Sequence, residues 1–109
     1  METQDYNGWT NRETWATMLH IDNDQALSEI ANDYASVCLK YDDEGEDISC
    51  LSLTLEEWIT GDLLTLENIS GNQGLWLMLT DIGSLYRVNW REIAEHLLKY
   101  TKELEASNA

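Results

Sequence analysis

Three times along the chain a Thr or Asn stands three residues before a Glu and just ahead of an apolar run: Thr10 and Glu13, Thr54 and Glu57, Asn89 and Glu92. In this capping box each side chain satisfies a backbone N–H that the first turn of a helix leaves free, so three boxes in so short a chain call for helices. The sequence contains no proline, and its apolar residues recur at spacings of three and four. The expected architecture is all-α, a compact bundle of about five helices. At 109 residues the chain has the size of one domain, and a single acidic helical domain over 1–109 is the working expectation.

The pattern places the elements. A first helix starts at the Thr10 and Glu13 box and runs to about Ile21, with Trp15, Met18 and Leu19 on one side. Asp22, Asn23 and Asp24 stop it and cap the next. The second helix, about Gln25 to Tyr41, carries an apolar stripe of Leu27, Ile30, Ala31, Tyr34, Val37, Cys38 and Tyr41, with Gln25, Glu29, Asp33 and Ser36 opposite. Asp42-Asp43-Glu44-Gly45-Glu46-Asp47 should be an exposed acidic loop. From Ile48 to Leu55, Leu51, Leu53 and Leu55 alternate with Ser52 and Thr54, which alone reads as a strand. One short strand has no evident partner, so an extended lead-in near 48–54 is expected, followed by a helix from about Leu55 to Glu67 that weakens near Gly61. There Leu53 and Trp58 occupy hydrophobic-staple positions. Ser70-Gly71-Asn72 is turn chemistry. Leu75 to Tyr86 reads as a buried helix, with a strand over Leu75 to Leu79 as the alternative. The last helix is capped by Asn89, with Val88 stapling to Ile93. It buries Trp90, Ile93, Ala94, Leu97, Thr101 and Leu104, and a Glu95–Lys99 pair lies across one turn.

Charge decides what such a bundle can touch. The chain has 21 Asp and Glu against six Lys and Arg, a formal −15. Residues 1–67 hold 16 of the acids with only Arg12 and Lys40 as bases. A field of this sign repels nucleic acid and anionic lipid and steers the chain towards basic surfaces, at rates that fall as salt rises. Direct nucleic-acid binding is therefore not expected. No run of about 18 apolar residues and no basic start before an apolar stretch occurs, so neither a membrane span nor a secretory signal is expected, and the expected compartment is the cytosol. Cys38 and Cys50 lack CxxC spacing. Two reduced thiols are expected, with a single bridge as the alternative.

Candidate chemistry is sparse. His20, Asp22 and Asp24 sit at alternate positions at a helix end, where they cannot all converge on a metal, and capping accounts for the aspartates better. Asp42 to Asp47 lacks the spacing and the twelfth-position Glu of a calcium loop. His96 reads as a partly exposed helical residue. Gly71-Asn72-Gln73-Gly74 has neither the strand nor the Lys of a phosphate cradle. No nucleophile or metalloprotease motif is present. The expectation is a non-enzymatic protein with no cofactor and no metal. A net charge of about −2 to −8 already secures solubility for a small domain, so the surplus points to a basic partner. Glu29, Asp33, Asp42, Asp43, Glu44, Glu46 and Asp47 are the candidate contacts.

Asn7-Gly8-Trp9-Thr10-Asn11-Arg12-Glu13-Thr14-Trp15, followed by Asp22-Asn23-Asp24, resembles the opening of a group of small acidic proteins from phages, plasmids and related mobile elements. Val88-Asn89-Trp90-Arg91-Glu92-Ile93-Ala94 is similar to a second segment of that group. The group has no assigned activity, so the resemblance carries over no functional residue. What it implies is context: a small acidic phage protein resembles counter-defence inhibitors, including DNA-mimicking antirestriction and anti-CRISPR proteins. The expected function is inhibition of a host nuclease or CRISPR effector by covering its basic nucleic-acid channel. The alternative is a regulatory or accessory interaction domain that uses an exposed apolar patch around Trp9, Trp58 or Trp76. On the residues alone, Trp9 and Trp15 are expected to pin the start of the first helix.

Overall fold

The first helix begins on an asparagine. In the computed structural model, which describes residues 8–40 and 47–108 and the side chains of all of these but 47 and 105–108, α1 spans Arg12–Asn23 with Asn11 as its cap. Asn11 Oδ1 accepts from the Thr14 N–H at 2.9 Å, so the cap lies one residue later than the Thr10 and Glu13 box predicts. Asn caps as well as Thr does. The buried side is Thr14, Ala16, Thr17, Met18 and Ile21, whereas Trp15 is half-buried and Leu19 exposed. Two threonines can be buried here because their hydroxyls are satisfied locally, Thr17 Oγ1 by Glu13 O at 2.8 Å and Thr14 Oγ1 by Asn11 Oδ1 at 2.7 Å. Asp24 ends α1, and its Oδ1 accepts from Leu27 N at 3.1 Å. The expected change of helix at 22–24 thus falls on this residue.

α2 spans Gln25–Lys40 and packs against α1, α3 (Asp47–Glu56) and α6 (Trp90–Asn108). Its buried line is Leu27, Ala31, Ala35 and Cys38, with Tyr34 half-buried. Ile30 and Val37, expected in the stripe, are exposed. Ala31 and Ala35 have no exposure at all, and such small residues permit a close approach that narrows the buried line and leaves the next position round the helix in solvent. Tyr41 lies outside the described residues.

Residues 48–55 are helical, not extended. Leu51 and Leu55 are fully buried four apart while Leu53, between them, is 62% exposed, which is the period of a helix and not of a strand. Thr54 sits mid-helix, its Oγ1 donating to Cys50 O at 2.8 Å, so neither the second capping box nor the Leu53 staple forms. α3 then runs into a π-helical segment, Glu57–Leu63, in which Leu64 N–H reaches back five residues to Ile59 O at 2.9 Å. With that spacing residues five apart stack, and Ile59 and Leu64 are both buried. The expected weakness near Gly61 is this wider turn. The expected helix over 55–67 is accordingly divided, and its last part belongs to α4, Leu66–Ile69, capped by Thr65.

α5, Gln73–Ile82, is capped by Asn72 and closed by Gly83, whose φ of +85° suits a residue without Cβ. Leu75–Leu79 is thus helical, and Tyr86, in a 3₁₀ turn Leu85–Arg87, is exposed. Asn89 caps α6 as predicted, with Glu92 N donating to its Oδ1 at 3.1 Å. Trp90, Ile93, Ala94, Leu97, Leu98 and Thr101 are buried, but Leu104 is exposed, and Glu95 pairs with Arg91 at 3.8 Å instead of with Lys99. The fold is an all-α bundle of six α-helices with no strand among the described residues, in keeping with the expected bundle of about five, while the extended segment near 48–54 is helical instead. No helix among the described residues is long and apolar enough to cross a membrane.

Candidate functional site

The seven candidate carboxylates do not share one description. Glu29 and Asp33 are exposed one turn apart on α2, and Gln25 Nε2 donates to Glu29 Oε2 at 3.1 Å. Asp42, Asp43, Glu44 and Glu46 lie outside the described residues, and Asp47 opens α3 with its side chain likewise outside. The chain leaves α2 at Lys40 and rejoins α3 at Asp47, and the two helices touch at Cys38 and Cys50, whose sulfurs are 2.9 Å apart.

The cations are placed elsewhere. Arg12 Nη2 meets Asp81 Oδ1 at 3.1 Å, Arg87 Nε meets Glu13 Oε2 at 3.3 Å, and Arg91 meets Glu95. Each of these pairs sits on α1, α5, the 3₁₀ turn or α6. Among the described residues no ion pair includes Glu29 or Asp33, and the one base on their helix is Lys40. Helical spacing gathers Gln25, Glu29, Ile30, Asp33, Val37 and Lys40 on one exposed face. Ile30 and Val37 are the residues that sequence reasoning missed there. Their spacing of seven fits a core stripe equally well, so nothing local marked them as exposed.

The remaining candidates have structural roles. His20 Nε2 lies 2.9 Å from Asp81 Oδ2, which joins α1 to α5, and Asp24 caps α2. His96 is exposed with its ring 5.2 Å from that of Trp9, which is half-buried. Trp58 is buried edge-on to Tyr34. Of the three tryptophans considered for a contact patch, Trp76 on α5 is the exposed one, at 52%, with Leu77 beside it and Leu66 of α4 at 79%.

Residues 10–14 and 87–92 are far apart in sequence and interlocked in space. Thr10 N–H donates to Glu92 Oε1 at 3.0 Å, Asn11 Nδ2 to Arg87 O at 2.8 Å, and Asn89 N–H to Thr14 Oγ1 at 2.8 Å. The Glu of the α6 capping box thus serves the start of α1, and the hydroxyl of α1 serves the cap residue of α6. The clasp thus ties the entry of α1 to the 3₁₀ turn and to the cap of α6, and each of these polar groups is satisfied from the other side. The model of a family of unknown function, DUF7249, matches residues 2–97, a stretch that holds both halves of the clasp. The chain belongs to that family. No curated protein and no solved structure matches the DUF7249 chain.

The clasp makes a sharp prediction. Thr14→Val keeps the shape of a fully buried side chain but leaves the Asn89 N–H without its acceptor, and is expected to cost about 1–3 kcal/mol in urea unfolding. Thr14→Ser retains the hydroxyl and loses one methyl, about 1 kcal/mol. Equal stability of Thr14→Val and wild type would show that the clasp hydrogen bond contributes nothing.

Proposed function

We propose that this DUF7249 chain is a non-catalytic inhibitor carried by a phage or other mobile element, of the anti-CRISPR or antirestriction kind. It binds the basic nucleic-acid channel of a host effector through the acidic side of α2 and the run that follows it. The observation that carries the reading is the separation of charge. Arg12, Arg87 and Arg91 are tied to acids around α1, α5 and α6, while Glu29 and Asp33 stand in solvent with no ion pair among the described residues. Unpaired carboxylates on a stiff helix can gain the counterion-release term that duplex DNA gains in the same groove. Ile30 and Val37 add apolar contact between them. The mobile-element origin rests on the resemblance of the two clasp segments.

The test is capture from bacterial lysate on the immobilised chain at low and at high salt, followed by competition with duplex DNA and with RNA. The expected result is a nucleic-acid-processing enzyme that is lost at high salt and displaced by its own nucleic acid. A partner held equally at both salts and indifferent to nucleic acid would overturn the reading.

A second reading has one observation in its favour, the exposed Leu66, Trp76 and Leu77. In it the chain is a regulatory interaction domain that docks by this patch, with acidity serving solubility. Trp76→Ala separates the two. On the acidic reading it changes capture less than about threefold, whereas an anchoring Trp would cost about 2 kcal/mol or more of binding.

A further inference from the structure

We infer that Cys38 and Cys50 form a site of reversible covalent modification, in which a low-molecular-weight disulfide oxidises the pair to a bridge joining α2 to α3. The two sulfurs lie 2.9 Å apart, about 0.9 Å beyond a bonded pair. Bridging therefore needs a small side-chain movement and no change of fold. Their accessibility differs: Cys50 is exposed and Cys38 buried. That difference orders the chemistry. The Cys50 thiolate attacks the small disulfide, forming a mixed disulfide and releasing one small thiolate. The Cys38 thiolate then attacks Cys50 Sγ, forming the protein bridge and releasing the second small thiolate. The two cysteine protons pass to solvent or to the released thiolates, and the small disulfide has been reduced to two thiols.

Charge adds a substrate preference. The chain as a whole carries a formal charge of −15. A field of that sign repels an anionic disulfide and draws a cationic one. The site is thus fitted to neutral or cationic small disulfides. The inference is independent of the binding partner, because both sulfurs belong to this chain.

The experiment treats the reduced, desalted chain with cystamine or with glutathione disulfide. Intact mass is expected to show loss of two hydrogens with no retained adduct, and thiol titration to fall to zero. The Tm should rise by about 10 °C, because the bridge closes a loop spanning 12 positions, and dithiothreitol should reverse all three. Cystamine should react roughly tenfold faster than glutathione disulfide at low salt, with the gap narrowing as salt rises. Cys38→Ser should hold the small thiol on Cys50 as a stable adduct. Cys50→Ser changes an exposed residue, so the fold is retained, and should take up no oxidant while folded. A lasting adduct on the wild type, a bridge between two chains, or thiols that stay unreacted in the folded protein would each overturn the site. Equal rates with the two probes at low salt would overturn the charge preference.

Discussion

Leu55→Ala is expected to lower the stability of the chain by about 2–5 kcal/mol, the cost of truncating a fully buried leucine and leaving a cavity that closes only in part. Leu53→Ala, two residues away, should cost less than about 0.5 kcal/mol, because that side chain is mostly in solvent. The contrast is what a helix demands and a strand forbids. In an extended segment Leu51, Leu53 and Leu55 share one face, and truncating any of them should cost the same. In α3 the first and last point into the core and the middle one out. Urea titration measures it, with midpoints compared at constant m. A domain of this size is stabilised by only about 5–15 kcal/mol, so the Leu55 cavity removes a large share of the total. Equal losses at positions 53 and 55 would return the segment to an extended conformation.

That segment also shows where sequence stops being informative. Alternation of Leu with Ser and Thr is a strand signal, but Ile48, Leu51, Leu55, Trp58 and Ile59 fit a helical line through the same residues. A local pattern cannot choose between two lines when both contain leucine. The Thr54 and Glu57 pair misleads in the same way, since a threonine in mid-helix can satisfy itself on the carbonyl four residues back, as Thr54 does on Cys50. The π-helical turn at 57–63 has a weak signature in Gly61 and none in its hydrogen bonding. Asp24 and Asn89 were legible as caps because their chemistry is complete within three residues, whereas at the start of α1 two adjacent cap-formers, Thr10 and Asn11, compete and the local pattern does not say which prevails. The clasp between the entries of α1 and α6 was not, because its halves lie 75 to 82 positions apart in the chain. Around the candidate site, Glu29 and Asp33 were readable as the polar side of a periodic helix. The outward placement of Ile30 and Val37, the burial of Trp58 and the exposure of Trp76 follow from packing against other helices, which no single segment encodes.

The acidic side of α2 yields the second large effect. Glu29→Lys combined with Asp33→Lys turns two negative charges into two positive ones. At surface separations each opposed pair is worth about 1 kcal/mol at low salt. Four units of charge change against a basic groove, about 4 kcal/mol, should therefore weaken capture of the partner roughly a thousandfold. The loss should shrink towards nothing as the Debye length falls to about 3 Å at 1 M salt. Stability should hold, because both side chains are exposed and neither joins an ion pair among the described residues. Glu67→Lys with Glu103→Lys makes the same change in net charge at exposed positions on α4 and α6, and is expected to weaken capture less than about threefold. The comparison separates a local surface from a global field. If both double variants lose affinity alike, the acidity acts by long-range steering alone. If neither does, while Ile30→Ala and Val37→Ala abolish capture, apolar contact carries the interaction and the carboxylates serve solubility.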